Sequence, residues 1–307
     1  NQTDNDDMYK IYWEDTKMEF SATAGTAGGS LKALFEVRDG DNLENFKGKV
    51  TKADSYSLTV ENTSIDNIKS LNLPDKDGKI TVNNITYSYD SWEAQVDAQG
   101  NIKSVTFALS RDKAIADPDK AVAEGYLLNA GSAINARGIP YYMTQLNEFV
   151  RNFSEMFNQI ESKGQNLNGD TPPTFFEAIT STAKVYDFSE SAAYSKLPDG
   201  QTATINSSSN TYYRMTAANF SVNKDVMNDV SLFATATDYV KTDSCDIVDE
   251  LKKLQSEKTV YRGDKAESFL ETIISNVSVD TEKAETYNKL YSNLEQTIAN
   301  QRTSVSG

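Results

Sequence analysis

The sequence predicts an α+β protein: an elongated helical rod or bundle domain carrying one or two inserted β-rich domains. Three patterns predict it. A heptad seam runs through the C-terminal region, where Ala266, Leu270, Ile273, Val277, Asp280, Ala284, Tyr287, Tyr291, Leu294, Ile298, Gln301 and Val305 alternate in steps of four and three. Only Asp280 and Gln301 interrupt its apolar and aromatic character, and such spacing puts one continuous stripe on a helix. A second helical pattern follows Pro140, and between the helical stretches residues 46–110 alternate polar and apolar side chains with the period of two that a strand shows.

Taken in order, residues 1–39 form a polar, acidic leading segment and a first helix over 30–38. Residues 40–137 form an inserted β-rich domain. Its strands include Ser57-Leu58-Thr59-Val60, Ile80-Thr81-Val82 and Ile85-Thr86-Tyr87-Ser88-Tyr89. Residues 92–96 and 102–109 flank Asp97-Ala98-Gln99-Gly100-Asn101, a hairpin with a five-residue loop. A short helix is expected around 119–128. Residues 138–164 return to the helical domain: Pro140 suits a first turn, where its missing N–H is not needed, and Gly164 suits the end. Tyr142, Leu146, Phe149, Phe153, Met156, Phe157 and Ile160 recur there at helical spacing.

Residues 165–242 read as a mixed, β-containing outer region with Pro172-Pro173 and an exposed turn at 206–210. Residues 243–307 close the helical domain, with a short helix over 247–255 and the long heptad helix. Asp264 is the expected N-cap, and Glu267 completes a capping box. A seam of this length cannot bury itself, and most of it is expected to pack inside the chain's own bundle against the stretches 31–35 and 146–160.

Composition narrows the functional classes. Among 307 residues there are 45 Asp+Glu against 30 Lys+Arg, a formal net charge of -15, so a phosphate backbone would be repelled. Nucleic acid is not an expected partner. The chain has no histidine, which removes the commonest general base and metal ligand. Its one cysteine, Cys245, allows no internal disulfide and no Cys-rich metal site. No apolar run approaches the roughly 20 residues of a membrane span, and the polar start does not read as a signal peptide.

Three stretches resemble the hook-associated protein 1 family of the bacterial flagellum. Gly28-Gly29-Ser30-Leu31-Lys32-Ala33-Leu34 leads into Val37-Arg38-Asp39, as the family's first helix does. The family's Ile-Pro-x-Tyr continuation comes here only at Gly138-Ile139-Pro140-Tyr141-Tyr142, which marks residues 40–137 as inserted at that junction. Thr216-Ala217-Ala218-Asn219-Phe220-Ser221-Val222-Asn223 is similar to the segment leading back from the family's outer domain. The closing Ser304-Val305-Ser306-Gly307 is similar to the run before its terminal assembly helix.

The resemblance implies a non-catalytic structural part at the junction of hook and filament, outside the cell, exported through the flagellar type III route. Its partners would be other copies of itself, the hook protein, the next junction protein and, for the full-length protein, an export chaperone. Family members begin and end with long amphipathic helices, so this chain is expected to be a trimmed fragment lying between them, monomeric by itself. The competing expectation is a secreted or surface-attached binding protein whose β insert recognises a ligand such as a glycan.

Chemical signals in the residues are few. Asp75-Lys76-Asp77-Gly78-Lys79-Ile80 has part of a calcium-loop pattern, but aligning Gly78 to the sixth position puts Leu73 first and Asn84 last, so a turn before a strand is expected. Asp4, Asp6 and Asp7 are expected to be a solvated end, and Cys245 a structural residue. Tyr212-Tyr213, Trp92, Tyr87 and Tyr89 could form a sugar platform, or else a core with cross-strand pairs, which is the expected arrangement. No catalytic, cofactor-binding or metal-ligating residues are assigned.

Overall fold

The structure is a computed structural model describing residues 2–5, 8–10, 14–17, 28–75, 77–131, 133–240, 244–257 and 259–306. The chain divides into two compact units, Asn1–Ile247 and Val248–Gly307.

The first unit opens with an antiparallel hairpin, β1 (Gln2–Asn5) and β2 (Met8–Lys10), and then α1 (Gly29–Asp39). Arg38 sits in the last turn of α1, where a cation favours the carbonyl end of the helix dipole. Next come β3 (Phe46–Asp54), β4 (Ser57–Glu61), β5 (Gly78–Val82), β6 (Ile85–Val96), β7 (Ile102–Leu109), α2 (Pro118–Ala123) and β8 (Leu127–Ala130). Asp117 caps α2 by accepting from the Lys120 amide at 3.0 Å.

All pairings among β3 to β8 are antiparallel, in the order β6-β5-β8-β3-β4-β7, and β7 pairs again with β6 to close a six-stranded barrel. Alternation along each strand fills the interior with Leu58 and Val60, Ile80 and Val82, Val105 and Phe107, and Leu128 and Ala130. In β6 the inward positions switch from Tyr87 and Tyr89 to Trp92, Ala94 and Val96. A register shift between Tyr89 and Ser91 absorbs the change, the kind of bulge that bends a strand so a small barrel can close. Six strands leave room for little beyond side chains. At Gly78 a Cβ would lie 2.2 Å from the Tyr89 ring, so glycine is the residue that fits.

After the barrel the chain forms α3 (Ile139–Glu161), β9 (Phe176–Ala178), α4 (Ser189–Tyr194), β10 (Ala203–Asn206), β11 (Phe220–Val222) and α5 (Lys224–Asn228), with 3-10 turns at Tyr212–Arg214 and Val230–Leu232. β9 and β11 pair with each other, while β10 pairs with residues 93–96 of β6. Strands from both expected β regions therefore join one body. The protein is mixed α/β, with a closed six-stranded antiparallel barrel and one long C-terminal helix; it is not an elongated helical rod with inserted β-rich domains. The physical reason is long-range pairing: β8 stitches β3 to β5, and β10 adds to β6, and neither contact leaves a mark in local periodicity.

The second unit contains α6 (Asp246–Ser256), which starts at its boundary, the hairpin β12 (Thr259–Tyr261) and β13 (Asp264–Lys265), and α7 (Ala266–Ser306). Arg262 and Gly263 turn the hairpin with φ of 43° and 90°. Asp264 pairs within this hairpin, so the expected capping box does not form and α7 starts two residues later. The Tyr261 and Phe269 rings lie 3.9 Å apart at its start. With 41 residues α7 is about 62 Å long at 1.5 Å per residue. No described helix is long and apolar enough to cross a membrane.

Candidate interaction surface

The residues most able to form a sugar platform are interior ones. Trp92, Tyr87, Tyr89, Tyr212 and Tyr213 are all buried. The Trp92 and Tyr213 rings meet edge to face at 5.0 Å. The Tyr89 hydroxyl and the Trp92 indole N–H both donate to the Pro74 carbonyl, at 3.1 and 3.2 Å, and the Tyr213 hydroxyl donates to the Leu73 carbonyl at 2.8 Å. Their polar tips are thus spent on the loop that leads into β5, which leaves no aromatic face for a ligand. Burial pushes the Tyr212 and Tyr213 hydroxyls up to about 12.

The calcium-like turn shows no ligand cage. Asp77 takes a positive φ of 57°, Gly78 begins β5, and Lys76 lies outside the described residues. Among the described residues no group of three or more acidic or cysteine side chains is arranged to hold a metal. Asp6 and Asp7 lie outside the described residues, as does the side chain of Asp4. Cys245 is a free, exposed cysteine.

Charge inside the first unit is concentrated on α3. The Arg151 guanidinium is 2% exposed and joins three segments. Its Nε donates to the Met215 carbonyl at 2.8 Å, and Nη1 donates to the Lys69 and Leu71 carbonyls at 2.8 Å each. Its face lies over the Tyr213 ring, 4.6 Å from the centroid. Burial lowers its pKa to about 10, so it stays charged at neutral pH. One helical turn away Glu155 pairs with Lys69 at 2.5 Å, and Asn147 donates to Asn72 at 3.0 Å. These bonds hold the loop between β4 and β5 against α3.

Glu161, at the end of α3, is 1% exposed, and neither carboxylate oxygen has a hydrogen bond of normal geometry. Burial raises its pKa to about 7, and the nearby Ala234 amide offsets part of that rise.

Helix α3 is consequently turned inside out. Its inward side carries Gln145, Glu148, Arg151, Ser154, Glu155, Asn158 and Glu161. The aromatic side, expected to offer a packing face to the heptad seam, is mostly half-buried: Leu146, Phe149, Phe153, Met156 and Phe157 keep part of their surface in water, while Ile160 at its end is buried. That side continues into a cluster in which the Phe157 ring lies 4.8 Å from Phe175 and 4.7 Å from Phe176, and Phe176 lies 5.0 Å from Phe220. Beside it lies an apolar groove of about 440 Å³ lined by Phe175, Val222, Val226, Met227, Val230 and Phe233. On α1, which packs against α3, Leu31, Leu34 and Val37 are exposed. The sequence signal for this inversion was present as a second, polar stripe at helical spacing through residues 148, 151, 155 and 158.

On α7 the seam is uncovered as well. Within the second unit, Leu270, Val277, Tyr287, Tyr291, Leu294, Ile298 and Val305 are all exposed, while Ala266 at the start of the seam is buried. No family description and no curated protein matches this chain.

Proposed function

We propose that this chain is a structural component of the bacterial flagellum that joins hook to filament through helix-to-helix contacts, without catalysis. The observation that carries the reading is the 41-residue α7 with its exposed heptad seam. An apolar stripe of that length in water calls for a partner helix, since seam side chains gain about 25 cal/mol for each Å² removed from water. The stretches at 28–39, 138–142 and 216–223 add the resemblance to the hook-associated protein 1 family. Under this reading the barrel is a rigid outward module, and the helices supply contacts to other copies, to the hook protein and to the next junction protein.

Deletion of the gene in the parent bacterium tests the assignment. The reading expects hooks that form normally but carry no filaments, with attachment restored by the wild-type gene. It also expects no restoration by a gene carrying Leu294→Asp and Ile298→Asp. Filaments of normal number and length in the deletion strain would overturn it in favour of the surface-attached binding protein.

A further inference from the structure

At the barrel end that carries the β3–β4 and β5–β6 turns, the segment 110–126 and its helix α2 form a cap. The Ile115 amide donates to the Ser55 carbonyl and the Val50 amide to the Tyr126 carbonyl, both at 2.9 Å, so the cap is tied to the strands on either side of α2. Between cap and strands lies a cavity of about 230 Å³ that side chains leave unfilled. Its floor is Leu58, Val82, Ile115 and Ala121, none more than 9% exposed. Its rim is formed by exposed residues, Asn83, Ile85, Asp117 and Lys120. An apolar cavity of about 150 Å³ is enough to hold benzene, so there is room here for one six-membered ring with a small substituent.

Tyr87 supplies the polar anchor. Its side chain lines the cavity and is 5% exposed, yet its hydroxyl has no hydrogen-bond partner among the described residues. The buried hydroxyls of Tyr89 and Tyr213, by contrast, each donate to a backbone carbonyl. Burial raises the Tyr87 pKa, which keeps the hydroxyl protonated and able to donate at neutral pH. Lys113 Nζ lies over the ring, 5.3 Å from its centroid, so the hydroxyl rather than the ring face is open to a ligand. Charges at the mouth already have partners. Asp117 accepts from the Lys120 amide at 3.0 Å, the Lys120 ammonium lies 3.9 Å from Glu124, and Lys113 donates to the Thr86 carbonyl at 3.2 Å. A charged ligand would find no free counter-charge there and would lose its water over an apolar floor. We infer that this cavity is a binding site for a small neutral molecule, a single ring with one hydroxyl or carbonyl group that hydrogen-bonds to Tyr87. This goes beyond the junction reading, in which the barrel serves only as a rigid module.

Titration of the whole chain with phenol, followed by amide NMR, tests the site. The inference expects saturable shifts confined to the surroundings of the cavity, Val82, Asn83, Lys120 and Ala121 among them. Tyr87→Phe keeps the ring and removes the hydroxyl. It is expected to weaken phenol about three- to tenfold and to leave the affinity for benzene, which has no polar group, unchanged. Ile85→Trp on the exposed rim is expected to block both ligands with an unchanged circular dichroism spectrum. Benzoate and benzylammonium are expected to bind about tenfold more weakly than phenol. Equal affinity of wild type and Tyr87→Phe for phenol would overturn the inference, as would tighter binding of benzoate than of phenol. If either variant fails to fold, the wild-type titration still decides: shifts that do not saturate, or that spread over the surface, would overturn it. Filament attachment in the deletion strain decides the junction assignment separately.

Discussion

The Gly138 amide donates to the Gly40 carbonyl at 3.0 Å, so the chain leaves α1 and re-enters α3 through a single crossing point. The amides of Ala133 and Ile134 close the same neck by donating to the Asp41 carboxylate at 3.0 and 2.8 Å. Backbone packs on backbone here. A Cβ at Gly40 would sit 2.3 Å from the Glu36 carbonyl oxygen and 2.5 Å from that of Ala136; one at Gly138 would sit 2.4 Å from the Glu36 oxygen. Gly40 has φ of -65°, a value any residue adopts, so lack of space rather than conformation selects glycine. Gly40→Ala and Gly138→Ala are each expected to destabilise the first unit by about 1–3 kcal/mol, the usual range for overpacking, as read from urea unfolding. Unchanged midpoints would mean that the neck is looser than described.

Arg151 gives the second prediction. Arg151→Met keeps much of the side-chain volume but leaves the carbonyls of Lys69, Leu71 and Met215 without their donor. The expected loss is about 3–5 kcal/mol, the range for removing one member of a buried charged network. Arg151→Lys should recover little of it, because an ammonium cannot reproduce the planar fork that reaches three carbonyls. Equilibrium unfolding of both variants checks the order.

Stability should also depend on pH through Glu161. Its pKa is near 7 when folded, against an ordinary value of 4.5, so the folded state binds its proton more tightly. The stabilisation is present in full below about pH 4.5 and is lost as pH rises through about 7. Glu161→Gln is expected to remove this dependence and to stabilise the protein at pH 8 by about 1–2 kcal/mol, after allowance for solvent screening. Parallel urea curves for wild type and variant at pH 5 and pH 8 separate this from the other carboxylates.

Because Trp92, Tyr89, Tyr212 and Tyr213 are interior, oligosaccharides should leave their ring resonances unmoved in an NMR titration. Saturable shifts at those rings would revive the ligand-binding alternative.

Much of the local structure was legible. Pro140 and the apolar spacing after it placed α3, which ends three residues before Gly164, and the alternation on either side of residues 97–101 placed the hairpin of β6 and β7. The barrel was not legible. Its closure depends on β8, whose four residues pair with strands about 50 and 80 positions earlier, and no local period encodes such a contact. The polar, buried side of α3 was not legible for a related reason. An aromatic stripe ordinarily faces inward, but here three carbonyls from residues 69, 71 and 215 receive Arg151 and turn the polar stripe to the inside. Those acceptors come together only after the chain has folded. The candidate surface was half visible: spacing alone showed the α7 seam and the aromatic stripe of α3, and most of the seam was expected to pack within the chain's own bundle against 31–35 and 146–160.

The most direct test of the central claim is immunogold electron microscopy of intact flagella, using antibodies raised against this chain. The account predicts gold confined to a narrow band between hook and filament. Label along the cell envelope, or anywhere on cells that lack flagella, would contradict it.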